Sequence, residues 1–313
     1  MREPTRRAII LLALAALIIP ATPATASDGD DDWEPASTIT WSLADSPVVL
    51  NESIEIAEDT RLVIEAGVSV RLDRKVGIQV KGHLDIRGSP GSPVTFTSNG
   101  TGPSGPDSWE SVRLLSESQG RLHQVESALF EGARTGLQVS STSALVQDCA
   151  FIDNRYGIVA RGGAHVEARG CDFVNNSALG LEWEQGSTGM AVDCAFLNNV
   201  VGAYWYNSSE PVVVSSQFEG NYHHVSFAGG SNGTVRSCTF TDAVAEAFEC
   251  YDSSSPLLDD VTIEGQEGDG IHIRNASRPR MVGGTPVSSL VVDSKDNASY
   301  VIALTRITVE VRG

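Results

Sequence analysis

Short runs in which apolar and polar residues alternate recur along this chain at intervals of about 22 residues. The most regular apolar positions form one column, Phe130, Phe151, Phe173, Phe196, Phe218, Phe240 and Ile263. Two positions before each of these lies a small-residue column, Ala128, Cys149, Cys171, Cys194, Ser216, Cys238 and Val261. Three positions earlier again lies an apolar column, Val125, Val146, Ala168, Ala191, Val213, Val235 and Leu258. Alternation with a period of two predicts strands with one buried face, and a unit this short must stack on its copies to bury that face.

A turn and a second alternating run follow the apolar column in each repeat. The turn is predicted around a recurrent glycine, at Gly136, Gly157, Gly180, Gly202 and Gly270. The second run is typified by Leu181–Trp183 and Ile271–Ile273. No sustained stripe of period 3.6 appears after the N-terminal segment, and an α-helical solenoid would need repeats of about 34 residues. The pattern therefore predicts an all-β chain that forms a single parallel β-helix with coils of about 22 residues.

The upstream half follows the same pattern less regularly, in the runs 62–70, 77–88 and 93–98, followed by Trp109. In these features the chain resembles the right-handed parallel β-helix family of secreted and cell-surface proteins, which includes pectate-lyase-like folds. The resemblance extends from Trp41 to Ser289 and implies a right-handed parallel β-helix. It implies no single activity, because the family contains lyases, hydrolases, epimerases and adhesins.

The N-terminus has the composition of a secretory signal. Residues 1–26 combine a positive start, an apolar stretch from Ala8 to Ile19 and the small-x-small site Ala24-Thr25-Ala26. The apolar stretch is too short to span a bilayer, although an uncleaved anchor is the alternative. We therefore expect an exported protein, secreted or at the cell surface, with an acidic tether over 27–40 and the β-helix over 41–313. The run from Leu304 to Val311 predicts a last strand that stops abruptly, which suggests a further module or a truncated chain.

The net charge of −18 argues against binding to nucleic acid or to anionic membrane surfaces, because both require a basic footprint. The acidic run 28–34 is interpreted as part of a solvated tether. It lacks the ligand spacing and turn context of a Ca²⁺ loop, and no metal site is assigned. We therefore expect no cofactor, and Ca²⁺ is the alternative.

Asn-x-Ser/Thr sequons are more frequent than chance would give, at Asn51, Asn99, Asn175, Asn207, Asn232, Asn275 and Asn297. We interpret them as glycosylation sites of an exported protein. The alternative is that Asn and Ser are simply good turn residues.

Several columns are expected to be structural. Cys149, Cys171 and Cys194 occupy one slot in successive coils, about 4.8 Å apart, where parallel Cβ vectors disfavour a disulfide. We predict buried, unpaired thiols there. Trp183 and Trp205 share the parity of inward residues and are predicted in the core. A ladder of hydrogen-bonded amides is predicted at Asn154, Asn176, Asn199 and Asn221.

The outward positions of the second strand carry the candidate chemistry. One column is predicted as Gln138, Val159, Glu182, Tyr204, Ser226, Glu249 and His272. Its neighbour is predicted as Ser140, Arg161, Glu184, Tyr206, Ala228, Tyr251 and Arg274. The candidate ligand-binding residues are Arg161, Tyr204, Tyr206 and Tyr251, because tyrosine rings pack on sugars and still hydrogen-bond. The alternative is a solvated face with vertical pairs such as Arg161 with Glu184 or Glu249 with His272.

Two groups on this face are candidates for catalysis. Glu182 and Glu184 lie two residues apart on one strand, about 6.5–7 Å apart at the backbone, near the carboxyl separation of inverting glycosidases. The second group combines Glu249, His272 and Arg274 with Tyr251, which would supply a base and an electrostatic stabiliser for a uronate lyase. The acidic Ca²⁺ cluster of pectate lyases and the Asn-Thr-Asp motif of polygalacturonases are absent from the sequence. His223-His224 is predicted to lie in a turn.

These observations favour an exported β-helix scaffold, binding a polysaccharide or another cell-envelope component along the outward face. The alternative is a polysaccharide lyase or glycoside hydrolase acting on an extended polymer.

Overall fold

Three parallel sheets build the protein, and each coil of the chain adds one strand to each sheet. The computed structural model describes residues 34–100, 105–115, 122–268 and 270–284, and by backbone alone 290–293, 301–303 and 309–312. Within these residues there are about ten coils of about 23 residues, and the helical structure is limited to one 3₁₀ turn, Leu43–Asp45. The predicted parallel β-helix is confirmed.

The bounds of the strands follow the order of stacking in each sheet. The first sheet contains Ser37–Trp41, Thr60–Glu65, His83–Arg87, Leu122–Glu126, Ser143–Gln147, His165–Arg169, Thr188–Val192, Val212–Val214, Thr234–Arg236, Leu257–Asp259, Arg280–Val282 and Val301–Ala303. The second contains Val48–Leu50, Ser69–Leu72, Val94–Ser98, Ala128–Glu131, Ala150–Ile152, Asp172–Val174, Ala195–Leu197, Gln217–Glu219, Thr239–Thr241 and Thr262–Glu264. The third contains Ile54–Ile56, Ile78–Val80, Trp109–Leu114, Ala133–Ser140, Tyr156–Arg161, Leu179–Glu184, Val201–Tyr206, His223–Phe227, Phe248–Cys250, Ile271–Ile273, Leu290–Asp293 and Val309–Arg312.

A stack of phenylalanine rings forms the centre of the core, on the inner side of the second sheet. The predicted column from Phe130 to Ile263 is confirmed by the strand register, which pairs each member with the next. Five successive ring pairs, from Phe96 to Phe218, lie parallel with centroids 4.4 to 5.3 Å apart. The rings are fully buried, and each contributes about 1.5–3 kcal/mol through the hydrophobic effect.

Four of the five recurrent glycines lie within strands of the third sheet, not in turns as predicted, namely Gly136, Gly157, Gly180 and Gly202. Gly270 lies at a bend just before the strand Ile271–Ile273. A Cβ atom at Gly202 would lie 2.6 Å from the carbonyl oxygen of His224 and 2.8 Å from Cδ1 of Phe218. The glycines thus leave room for the phenylalanine stack and for the backbone of the next coil. His224 occupies the corresponding position one coil further on, and there the Phe218 and Phe240 rings meet edge to face.

Each coil bends at corners formed by residues in the left-handed region. After strands of the first sheet, this residue has φ between 47° and 54°, at Ser127, Asp148, Asp193, Ser215, Ser237 and Asp260. After strands of the second sheet, the residues with this left-handed conformation are Asp153, Asn175, Asn198 and Asp242. Asn207 and Asn275, with φ of 54° and 53°, lie at the corner after the third sheet. Small polar side chains and glycine tolerate this conformation best, which explains the residue types at the corners.

The asparagine ladder forms as predicted. The Asn199 amide nitrogen donates to the Phe173 carbonyl at 2.9 Å and to Asn221 Oδ1 at 3.0 Å. Asn199 Oδ1 accepts from the backbone nitrogen of Asn176 at 3.0 Å and from its amide at 2.9 Å. The ladder therefore satisfies buried backbone groups that the corner removes from the sheets.

The cysteines and tryptophans also lie where predicted. All five cysteines are buried and unpaired. Burial raises the pKa of Cys238 to about 11 and that of Cys250 to about 12, so both remain thiols at neutral pH. Trp183 and Trp205 are fully buried.

The N-terminal boundary differs from the expectation, because the first strand starts at Ser37, within the segment expected to be a tether. The signal segment 1–26 lies outside the described residues, as does part of the run 304–311. Among the described residues, none belongs to a helix with the length and apolar character needed to cross a membrane.

Candidate functional site

The outward side of the third sheet, here called the third-sheet face, carries the candidate residues. The first predicted column is confirmed along its whole length, from Gln138 to His272, by the strand register. It continues below Gln138 to Arg113 and Gln79. A row of side chains therefore runs along the face, perpendicular to the strands, at one residue per coil.

The second predicted column is partly wrong. Ser140 and Arg161 pair in register, and Glu184 pairs with Tyr206, as predicted. Ala228 is fully buried, because the chain has already turned into the corner after the strand His223–Phe227. Its backbone nitrogen donates to the Trp205 carbonyl at 2.8 Å. The column is therefore interrupted between Tyr206 and Tyr251.

An open groove of about 580 Å³ occupies the lower part of the face. It brings together Arg161, Tyr204, Glu182 and Glu184 from the candidate residues. It also contains residues that sequence reasoning missed, namely Glu110, Arg113, Arg134 and Tyr156.

Two of the missed residues, Glu110 and Arg113, lie in a coil of irregular length, on the strand Trp109–Leu114. Thr97 and Glu131 hydrogen-bond between adjacent strands of the second sheet although they are 34 residues apart in sequence. The extra length in this coil breaks the period of about 22 residues. The position of Arg113 relative to the outward column could therefore not be predicted from the sequence. The Gln79 to Arg113 to Gln138 pairing appears only when the strands are assembled.

Glu182 has the most perturbed carboxyl group of the groove. Its strand places it between Val159 and Tyr204 on neighbouring strands, and Val159 is buried. Burial, and then the charge of Glu184, raise the pKa of Glu182 to about 7, while Arg161 acts in the opposite direction. Glu182 therefore exchanges its proton near neutral pH, as a general acid or base must.

Arginines border the groove on the N-terminal side. Arg134 contacts Glu110 at 3.1 Å, and Arg113 approaches the same carboxylate at 4.0 Å. Arg161 lies on the next strand, where its Nε donates to Ser140 Oγ at 3.4 Å. Guanidinium groups in this arrangement present planar donors suited to hydroxyl and carboxylate oxygens of a ligand.

The three candidate tyrosines form one cluster above the groove. The hydroxyls of Tyr204 and Tyr251 lie 3.1 Å apart, and the Tyr204 and Tyr206 rings stack with centroids 5.9 Å apart. Burial is the main cause that raises the pKa of both Tyr204 and Tyr251, so the two hydroxyls stay protonated. Tyr206 is exposed and offers a ring face to solvent.

The second catalytic candidate group is arranged differently from the expected vertical pair. Glu249 does not pair with His272; it accepts a hydrogen bond from Arg274 at 2.6 Å. Arg274 also lies over the Tyr251 ring, 4.9 Å from its centroid. Arg274 thus links Glu249 to the tyrosine cluster. Its guanidinium group balances the charge of the Glu249 carboxylate in an ion pair.

His272 instead approaches Glu246, with Nδ1 3.7 Å from a carboxylate oxygen. His223 lies at the start of its strand, 3.0 Å from the other oxygen of Glu246. His224 is buried in the core, and the strand His223–Phe227 includes both histidines, so the prediction of a turn at this pair is wrong. No set of three or more His, Cys, Asp or Glu side chains within the described residues is arranged to hold a metal ion.

The sequons among the described residues occupy corners and loops. Asn51, Asn175, Asn207, Asn232 and Asn275 are exposed, whereas Asn99 is half-buried and donates to Asp73 at 3.0 Å. Asn297 lies outside the described residues. Asn175, Asn207 and Asn275 have positive φ, so backbone geometry accounts for asparagine at these positions independently of glycosylation.

Comparison with known proteins agrees with the fold. Residues 135–285 match the family described as right handed beta helix region. A search of curated proteins finds no significant match. The structure is similar to the crystal structure of the periplasmic alginate epimerase AlgG, at 11% identity and a TM-score of 0.51, over 87% of this chain and 83% of that one.

Two mutants of the same epimerase give similar results. A double mutant matches at 12% identity and a TM-score of 0.56, over 84% of this chain and 77% of the other. A single mutant matches at 13% identity and a TM-score of 0.53, over the same shares. At such identities the likeness concerns the fold alone. The family match over residues 135–285 and the three-sheet architecture together show that the chain has the right-handed parallel β-helix fold.

Proposed function

We propose that the protein is an extracytoplasmic scaffold that binds an extended polysaccharide along the third-sheet face. The observation that carries the proposal is the combination, on one face, of an open groove with an adjoining tyrosine cluster. A groove lined by a few polar groups next to exposed aromatic rings is typical of carbohydrate sites.

The geometry of the face favours a long ligand over a small one. The outward column runs through successive coils, so its side chains repeat at the strand spacing of about 4.8 Å. The groove is open, and the tyrosine cluster continues it in the direction of the column. A polymer lying along the column would meet Arg161, then Tyr204 and Tyr206, and then Arg274.

Other findings support an extracytoplasmic polysaccharide-binding role. The similar solved structures described above are of a protein described as a periplasmic alginate epimerase. The N-terminal signal predicted from the sequence would place this chain in the same kind of compartment. The neutralised Glu249 and the ring-stacked Arg274 form a preorganised surface, which suits binding.

Retention on polysaccharide tests the proposal. The purified protein is passed over insoluble cellulose and xylan, and run in gels containing soluble alginate or polygalacturonate. We expect retardation by at least one polymer. Arg161→Ala and Tyr206→Ala are each expected to weaken it about tenfold, a loss of about 1.4 kcal/mol.

Arg169→Ala is the matched control, because Arg169 lies outward on the first sheet and pairs with Glu167 at 2.8 Å. It should bind like the wild type. Equal retention of all variants, or no retention on any polymer, would contradict the proposal.

A further inference from the structure

We infer that Glu182 and Glu184 form an acid–base pair that hydrolyses glycosidic bonds in the groove, with inversion at the anomeric carbon. The inference rests on the proposed polysaccharide site and adds a reaction to it.

The geometry of one strand supplies the first argument. Both residues lie on the strand Leu179–Glu184, two positions apart and on the same side, and both line the groove. Their backbones are therefore about 6.5–7 Å apart. In inverting glycosidases the two carboxyl groups are about 6.5–9.5 Å apart, which leaves room for a water molecule between carboxylate and sugar.

The surroundings of the two carboxyl groups supply the second argument. Glu182 lies between the buried Val159 and Tyr204, its register partners on the two neighbouring strands. Glu184 ends the strand and has the exposed Tyr206 as its neighbour. An enzyme that uses two carboxyl groups needs one protonated and one ionised, and unequal environments on one strand separate the two roles.

The raised pKa of Glu182, about 7, is consistent with the acid role, and the charge of Glu184 contributes to it. Below pH 7 Glu182 is therefore mostly protonated and can donate its proton. Arg161 lines the same groove, and its charge limits the rise in the pKa of Glu182, so that the carboxyl group can still release its proton.

The reaction balances without any further reactant. The Glu182 carboxyl group donates its proton to the glycosidic oxygen as the bond between that oxygen and the anomeric carbon breaks. A water molecule attacks the anomeric carbon from the opposite side, and its proton passes to Glu184. After the two sugar products leave, solvent carries the proton from Glu184 back to Glu182.

The experiment follows new reducing ends, unsaturated products and retention in parallel. The substrates are alginate, polygalacturonate, xylan and a soluble cellulose derivative. Wild-type protein is compared with Glu182→Gln, Glu184→Gln and the control Glu167→Gln, whose residue lies outward on the first sheet. We expect new reducing ends without unsaturated products, lost at least 100-fold in both groove variants and unchanged in the control.

Two further readouts separate a catalytic from a structural role. The rate should fall as pH rises through about 7, because Glu182 must be protonated to act as the acid. NMR of the first-formed product should show the inverted anomer. Both groove variants should still be retained by the polymer.

Each other outcome has a definite meaning. Retention of the wild type without new reducing ends would overturn the hydrolytic inference and leave the binding proposal standing. Turnover that survives Glu182→Gln, a retained anomer or unsaturated products would also overturn it. Absence of both retention and turnover would overturn the two proposals together.

Discussion

The interior of the β-helix and the third-sheet face are built from the same strands but differ in regularity. Inside, the same residue types recur in coil after coil, because each ring or amide packs on its own copy above and below. On the face, the column changes from Gln138 through Val159 and Glu182 to Tyr204 within four strands. The stacking constraint acts on inward side chains alone, so the outward ones are free to vary with function.

Removal of an interior ring should have the largest effect on stability. Phe196→Ala deletes a fully buried ring that stacks on Phe173 at 4.8 Å and on Phe218 at 4.4 Å. We expect a loss of about 3–5 kcal/mol in the free energy of unfolding, measured by denaturant titration, because a cavity remains in the stack.

Tyr222→Ala is the control, since Tyr222 is an aromatic residue that is 50% exposed. It should change the free energy of unfolding by less than about 0.5 kcal/mol. A loss below about 1 kcal/mol for Phe196→Ala would show that the interior stack does not hold the coils together.

The interruption of the interior pattern at His224 should appear as acid sensitivity. Burial is the main cause that lowers the pKa of His224 from 6.5 to about 3. The unfolded chain therefore binds this proton more tightly than the folded protein, and stability is lost as pH falls from about 6.5 towards 3. His224→Gln, which cannot titrate, should lose less stability than the wild type between pH 7 and pH 4.

Denaturant titrations of both proteins at the two pH values measure this difference. The hydrogen bond between His224 Nδ1 and the Asn221 amide, 3.0 Å long, is removed in the variant at every pH. The quantity to compare between the variant and the wild type is therefore the change in the free energy of unfolding with pH, and not its value at one pH. Parallel curves for the two proteins would contradict the prediction.

On the third-sheet face, Glu182 should give the opposite pH dependence of stability. Burial raises the folded-state pKa of this carboxyl group from 4.5 to about 7, so stability present below pH 4.5 is lost as pH rises through 7. Glu182→Gln should match the wild type at pH 4 and exceed it at pH 8. This effect should be smaller than that of Phe196→Ala, because the groove is open to solvent.

Thermal unfolding of the two proteins at pH 4 and pH 8 provides the measurement. A variant less stable than the wild type at pH 8 would mean that Glu182 serves the fold instead of a function. A gain in stability would be typical of a residue kept for its chemistry.

Some errors of sequence interpretation have one physical origin in backbone geometry. The sequence pattern predicts a turn at Gly202, yet this residue lies within a strand, and it is glycine because a side chain there would meet the Phe218 ring. The asparagines of three sequons sit at corners with positive φ, which a one-dimensional pattern does not display. The small residues at these positions indicate a constraint on the backbone. They do not show whether the constraint is a turn or the close approach of another part of the chain.

The pairings on the face were the least predictable part. The parity of alternation was enough to place Glu182, Tyr204 and His272 in one column. It did not reveal that Glu249 pairs with Arg274, or that His272 approaches Glu246. Side-chain length and direction, and not strand register, decide which of several outward neighbours meet.

The sequence by itself determined the parallel β-helix, its coil length, the phenylalanine stack and the asparagine ladder, because these features repeat and each repeat confirms the register of the next. Only the tertiary structure decided the groove, because Arg113 joins Glu182 there across a coil of irregular length. It also decided the ionisation of Glu182, which depends on how Val159, Tyr204 and Glu184 surround one carboxyl group. Periodic packing is local along the chain, whereas desolvation and charge act between side chains that only the assembled coils bring together.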